Sequence, residues 1–482
     1  YLDVFAWFYI DKGALFFDTS AIAGGIVTGA SLNLYGSSDS STTDFDLTLQ
    51  TGGATYPHDP MQTTDYNKSY YSGNGGSKTT SGWNTAGYNE ITLSSSGMGW
   101  IDTSGTTKFM VRSSREIAGT IPAFTIDERV AYYDGGCGNI SRTPYLSVNY
   151  TCGDWLDDYT YRKVFGITGS SAGTQTNYQM RVNVYAASGT DSGSSVYLNY
   201  TIQADFDDVR FTTPSGTSLD SWVETYTSNV SAVFWVEFDS IAASPSVTQF
   251  LMYYGNSAAT SGSNGDNTFI FFDDFLGTSL NTSKWAGDTA YASVSGGMLT
   301  YQNGSAAWRA IYGQTATGST SYAIRANGNL DETESAYGSQ TPTGSHKAYI
   351  YRSSSTTYYL TRDGVTQSLN TTNFSIDAYK TIELAVRGGS GVYGFENDVA
   401  RSPAYVTVTP PNSADMRAAI STYTTNGIKV DWILLRKYVY PEPSISSWGS
   451  PNTLPAPTGT SASDGTYTDK VIVSWTEPCG AS

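Results

Sequence analysis

The chain has 482 residues, with 26 Lys and Arg against 43 Asp and Glu, a net charge of −17 at pH 7. A phosphate backbone would be repelled by that surplus, which argues against nucleic acid as a partner. No stretch approaches the ~20 consecutive apolar residues of a membrane-spanning helix, so membrane insertion within this sequence is not expected.

Only 14% of residues are charged, while aromatics reach 14%, with 37 Tyr. The polar surface must therefore come from Ser, Thr, Asn, Gly and Tyr, a composition suited to extracellular β-proteins. At about 100 to 200 residues per domain, the length predicts three or four domains.

The first third alternates apolar and polar residues in "ASLNLYG", "DFDLTLQ", "NEITLSS", "KFMVRSS" and "PYLSVNY". Period-two runs rich in β-branched and aromatic residues predict strands. Cys137 and Cys152 flank the last of these. A Cys137–Cys152 disulfide would contribute about 3 kcal/mol and would indicate an oxidising compartment; the alternative is two free thiols. The segments "ALFFDTSAIAGGIVTGASLNLYG", "YPHDP", "YSGNGGS" and "TKFMVRSSREIAGT" resemble the DNRLRE-type β-sandwich. That resemblance implies a secreted, cell-surface or virion protein, and residues 1–152 as one sandwich.

A new pattern opens at "GDWLDDYTYRK". From there "YTYRKVFGITG", "TNYQMRVNV", "FDDVRFTTPSGTSLDSWVE" and "FLMYYGNSAATSGSNGD" resemble a microbial domain of unknown function that often precedes laminin-G-like domains. The resemblance implies a second sandwich over 153–262 and no activity. Residues 263–449 open with "FFDDF" and "LNTSKW" and close with "VDWILLRKYVYPEPSISSWGS". They resemble the concanavalin or laminin-G-like sandwich. A Pro- and Gly-rich stretch predicts a linker at 450–457. Residues 458–482 resemble the first two strands of a fibronectin type III domain, with Trp475 as its core tryptophan, so the chain is expected to continue. The fold class is thus all-β: tandem β-sandwich (jelly-roll-like) domains with a partial fibronectin type III segment.

The adjacent carboxylates Asp273 and Asp274 are the first candidates for chemistry. Neighbours on a strand face opposite ways, so these two carboxylates cannot line one cleft. Glycoside hydrolysis needs two carboxyls about 5 Å apart, or about 6.5 to 9.5 Å apart, at one site. The acids Asp331, Glu332 and Glu334 lack the Glu-x-Asp-x-x-Glu spacing of laminarinase-type enzymes and read as a solvated turn. The two histidines, His58 and His346, fall in different predicted domains, which speaks against a Ser-His-Asp triad. No Gly-x-Ser-x-Gly or His-Glu-x-x-His motif occurs. By likeness to sandwiches that hold calcium between their first and last strands, Asp274 and Asp431 are candidate ligands, with backbone carbonyls completing the shell. Otherwise each caps a turn or pairs with a base.

Trp308, Tyr349, Tyr351, Tyr358 and Arg362 are the candidate sugar-binding residues. Sugar sites stack pyranose faces on aromatic rings and engage hydroxyls with a few polar groups. Tyr349 and Tyr351, two apart, must share a face, which is either a binding face or sandwich core. Trp222, Trp235, Trp285 and Trp432 read as structural. Sequons such as Asn149 and Asn199 mark sites for glycosylation.

These readings predict a non-enzymatic extracellular protein of a cell-surface fibre, filament or virion. Its expected partners are glycans or surface polysaccharide and further copies of itself; calcium is its candidate cofactor. The alternative is an accessory carbohydrate-binding region of a larger polysaccharide-degrading enzyme.

Overall fold

The computed structural model describes residues 10–22, 25–53, 55–103, 105–120, 128–133, 140–152, 155–304, 307–329, 335–352, 358–362, 365–369, 379–388, 391–400, 413–423, 427–453, 458–462 and 473–476. Strands dominate, as the period-two patterning requires, and they build three two-sheet sandwiches and a two-stranded C-terminal piece.

The first sandwich pairs two sheets. One runs Gly13–Asp18, Thr106–Ser113, Asp46–Gln50, Ser77–Thr79. The other is organised by the 15-residue strand Gly25–Asp39, flanked by Tyr88–Thr92 and, along its opposite edge, by Val130–Tyr132 and Tyr145–Cys152. The inward positions Leu32, Leu34, Leu49, Ile91 and Phe109 form its core. Cys137 lies outside the described residues, as does the side chain of Cys152, so the expected disulfide falls outside them.

The second sandwich stacks Ser195–Tyr197, Gln175–Tyr185, Ser231–Ile241 and Ser221–Thr227 on a sheet ordered Arg210–Thr212, Val247–Tyr254, Tyr161–Thr168. That second sheet is completed by residues far along the chain. Ser444–Trp448 and Asn452–Thr453 both pair with Tyr161–Thr168. Ile445 is buried in the second core, and Trp448 stacks on Phe165 with ring centroids 4.7 Å apart. Ser444–Trp448, expected at the end of the third sandwich, and Asn452–Thr453, in the linker expected at 450–457, thus belong to the second sandwich, while 454–457 lie outside the described residues. The third sandwich is carried as an insert within the second. An apolar edge on Tyr161–Thr168 accepts the returning strand, which a reading of local Pro and Gly content does not register.

The third sandwich has an eight-stranded and a seven-stranded sheet. The first is centred on Ile428–Lys437, which pairs with Phe271–Asp273 and Leu299–Tyr301 along one edge and Tyr322–Asn329 along the other. The second runs Trp285–Gly287, Arg309–Gly313, Arg417–Thr422, Ser335–Gln340, Lys347–Arg352, Tyr358–Arg362, Val365–Leu369. Trp285, Tyr301, Tyr322, Ile350, Ile420 and Leu435 lie in the shared core. Thr458–Ala462 and Val473–Thr476 pair antiparallel at the C-terminal end.

The second and third sandwiches are joined by chemistry as well as by chain. Trp222 and Trp235 of the second bury against Phe269, Phe272, Trp432 and Leu434 of the third. Arg325 makes a two-pronged contact with Glu224, Nη2 to Oε1 at 2.8 Å and Nε to Oε2 at 3.1 Å. Arg436 donates to Glu383 at 2.7 Å and to Glu442 at 2.8 Å. The Trp235 indole donates to Glu224 at 2.6 Å. Both guanidinium groups lie over the Trp235 ring, at 5.6 and 5.2 Å.

Candidate functional site

The seven-stranded sheet of the third sandwich has an inner face on the core and an outer face. Parity decides which residue goes where. Tyr337, Ala348, Ile350, Ala418 and Ile420 point inward. Ala336, Tyr349 and Ala419 occupy the alternate positions, with Tyr312 and Tyr351 packed on them. Trp308, just before Arg309–Gly313, shares the parity of Tyr312. Its ring lies 5.4 Å from Tyr351 and 5.6 Å from Tyr423. Trp308 is 47% exposed, so about half of the residue stays open to solvent. Trp308, Tyr351 and Tyr423 thus form an aromatic cluster on the outer face.

The sequence-selected residues separate on this framework. Tyr349 and Tyr351 share a face, as their spacing requires. Tyr349 is buried, however, and its hydroxyl donates to Gln340 Oε1 at 2.7 Å. Burial, with Tyr301 nearby, pushes its pKa well up. The assignment of Tyr349 as a ligand contact is therefore corrected: Gly338 opposite it and Ala336 and Ala419 on the same side leave room for the ring against the sheet. Tyr358 is paired with Arg352 and Arg362 with Ala348, while Tyr359 is the partner of Tyr351. The side chains of Tyr358 and Arg362 lie outside the described residues, as do Asp331, Glu332 and Glu334. Tyr423 went unselected, although the alternation Ala419, Ser421, Tyr423 in "AAISTYTT" placed it on this face.

Arg309 is held by Asp288 at 3.3 Å and lies 4.5 Å over the Tyr291 ring. Arg417 is held by Asp415 at 2.9 Å. Among the described residues, Trp308, Tyr312, Tyr351 and Tyr423 are the outer-face rings left at least partly exposed, with Gln340, Tyr349 and Ser421 buried beneath them. Such rings stack on a sugar ring.

The two aspartates of the opening strand behave differently. Asp273 is buried; it accepts from the Trp285 indole at 2.6 Å and from the Phe275 amide at 2.8 Å. Burial raises its pKa, and the indole hydrogen bond opposes that rise. Asp274 is half-buried on the other side and caps its own turn, at 3.4 Å from the Leu276 amide. Asp431 sits where the ladder to Tyr322–Asn329 slips: Asn327 faces Trp432 and Gly328 faces Val430, leaving Asp431 without an opposite residue. It also lies in the gap between Asp273, opposite Ile433, and Leu299, opposite Val430. Its pKa is raised by burial and then by the charge of Asp274. No described basic side chain offsets that repulsion. No group of three or more His, Cys, Asp or Glu side chains converges among the described residues. A cation here would need backbone carbonyls or water for its other ligands.

Elsewhere, His58 is paired with Asp65 at 2.7 Å in the first sandwich. An apolar cleft of about 400 Å³ lies between the first and second sandwiches, lined by Ile26, Met98, Pro214 and Phe250, with Asp239 on its wall. No described helix is long and apolar enough to cross a membrane, which says nothing of a β-barrel.

One family model matches. Residues 205–288 match a family described as a domain of unknown function, DUF2341. The match overlaps the segment read as such a domain and runs past 262 into the third sandwich. It thereby includes Trp222, Trp235, Phe269 and Phe272, the aromatic seam between the two. No curated protein sequence matches the chain. Solved structures similar to part of it include a β-agarase A in complex with oligoagarose, at 14% identity and TM-score 0.27, covering 35% of this chain and 90% of that one. Porphyranase B from Zobellia galactanivorans is similar at 9% identity and TM-score 0.26, covering 38% and 92%. A Bacillus licheniformis β-glucanase is similar at 11% identity and TM-score 0.27, covering 35% and 98%.

Proposed function

We propose that this chain is a non-enzymatic, extracellular glycan-binding and structural protein, and that its third sandwich carries a sugar contact. The observation that supports this most is the half-exposed Trp308, packed against Tyr351 and Tyr423 on the outer face of its sheet. The tandem sandwiches hold that face rigidly and set it along a fibre, filament or virion surface. Calcium at Asp274 and Asp431 would brace the first and central strands of the same sandwich.

A glycan-array assay on the full chain tests the reading. Selective binding is expected, with Trp308→Ala weakening it by about tenfold or more, the scale of one lost stacking contact desolvated on binding. Absence of binding, or binding indifferent to Trp308→Ala, would remove the site. The calcium role has its own readout. Calcium is expected to raise the melting temperature of the wild type and to leave that of Asp431→Asn unchanged. An equal shift in both would place the cation elsewhere.

A further inference from the structure

The first sandwich carries a second aromatic surface that the sequence patterns did not single out. Tyr35 on Gly25–Asp39 packs edge-on against Tyr88 at 5.1 Å and against Tyr133 at 5.7 Å. Tyr88 continues to Tyr145 at 5.0 Å. Tyr88, Tyr133 and Tyr145 are 37%, 37% and 45% exposed. Four rings thus form one open patch on the outer face of this sheet.

The patch is rigid. The Tyr35 hydroxyl donates to Ala86 O at 2.6 Å, and the Tyr88 hydroxyl is 3.2 Å from both Ser141 O and Thr143 O. With these two hydroxyls tied to backbone, Tyr35 and Tyr88 offer their carbon faces and edges, and little of their freedom is lost when something binds. Arg142 stands in the middle. Its guanidinium lies 5.1 Å over both Tyr35 and Tyr133, and it donates to the Tyr133 hydroxyl at 3.0 Å. One of its five N–H groups is thereby used. Glu90, two positions along from Tyr88, is engaged by the Thr92 hydroxyl at 3.3 Å.

Arg142 makes no ion pair among the described residues, in a chain with a surplus of 17 negative charges. Arg112, Arg115, Arg181, Arg309, Arg325, Arg417 and Arg436 do, whereas Arg210 turns to backbone carbonyls and Arg387 to tyrosines in the same way as Arg142. A cation fixed between tyrosines and left without an acid complements an anion presented beside apolar ring faces. The geometry points to an acidic polysaccharide as the occupant: sugar rings stack on Tyr88 and Tyr145, and a carboxylate or sulfate meets Arg142 in a charge-assisted pair. The overall negative charge does not prevent this, because it is screened beyond about 8 Å at physiological salt. This surface is separate from the Trp308 face and stands or falls independently of it.

The test is affinity electrophoresis of the full 482-residue chain through gels containing polygalacturonate, a sulfated galactan or neutral dextran. Retardation is expected in at least one acidic gel and not in dextran; which acidic gel retards identifies carboxylate or sulfate as the anion. Arg142→Gln should weaken retention by about tenfold, the scale of one hydrogen bond to a charged group. Tyr145→Ala, at an exposed ring, should weaken it as well, and Tyr226→Ala, at an exposed ring of the second sandwich, should leave it unchanged. Near-UV circular dichroism reports whether each variant is folded. The proposal is overturned by no retardation in either acidic gel, by equal retardation in dextran, or by retention that a folded Arg142→Gln keeps. Self-association lost in Tyr145→Ala, without retardation, would overturn it too and assign the patch to a second copy of the chain.

Discussion

Asp273 and Asp274 show how far one peptide step can separate two identical side chains. Strand alternation sends Asp273 inward, onto the Trp285 indole, and Asp274 outward, toward Asp431. Removing the inner carboxylate leaves a buried N–H without an acceptor. Asp273→Ala is therefore expected to lower stability by about 1 to 3 kcal/mol, measured by urea unfolding. The opposite sense is expected at Asp431 without calcium: Asp431→Asn removes a carboxylate that burial and Asp274 both disfavour, so the variant should unfold at equal or higher urea concentration than the wild type at neutral pH. At the proposed sugar contact, alternation puts Tyr349 and Trp308 on one face, and their neighbours distinguish them: Tyr349 is covered, whereas Trp308, just before its strand, stays half-exposed.

Between elements, the decisive contacts are the seam of Arg325, Arg436, Glu224, Glu383 and Trp235 and the returning strand Ser444–Trp448. The Glu383 carboxyl is desolvated by burial, yet Arg436 and Arg325 outweigh that and hold its pKa below the ordinary value of 4.5. A depressed carboxylate pKa contributes stability that is present above its unfolded-state value and is lost as pH falls through the folded one. The wild type is therefore expected to lose stability below about pH 4.5, and Glu383→Gln to show a shallower dependence there. At neutral pH, Glu383→Gln leaves Arg436 and Arg325 short of a partner and should cost about 3 kcal/mol or more, seen in the denaturation midpoint. Matching acid slopes in the two proteins would show that the seam does not govern the acid transition. For the returning strand, Ile445→Ala is expected to destabilise the second sandwich by about 2 to 5 kcal/mol, as a cavity in a formed core does.

In the molecule as a whole, the insertion of the third sandwich into the second makes the two interdependent. The chain leaves the second sandwich near residue 264, builds the third, and returns at 444 to complete the second. Calorimetry of the intact chain should show these two melting together, apart from the first sandwich. A protein ending at residue 440 should lose that shared transition to lower temperature, because Tyr161–Thr168 then has an open edge and Phe165 lacks Trp448. Separate transitions for the second and third sandwiches in the intact chain would show that the seam is not rigid. A rigid pair is what the proposed surface role would require, since it would keep the Trp308 face at a set angle to its neighbours.

Local alternation was enough to establish the class of this protein. Runs such as "NYQMRVNVY" and "VDWILLRKY" carry their own inside and outside, so the strands, the sandwiches and the structural role of Trp285 were legible before any coordinates. The position of Tyr423 beside Trp308 was also written in the alternation of its strand, though not which strand lay next to which. What the chain could not show locally was pairing between distant segments. The return of Ser444–Trp448 to Tyr161–Thr168 bridges about 280 residues, and the Arg142 platform assembles Tyr35, Tyr88, Tyr133 and Tyr145 from four separate stretches. Periodicity constrains the face a residue takes on its own strand. The neighbour it meets there is set by sheet order, which depends on contacts that form only when the whole core closes.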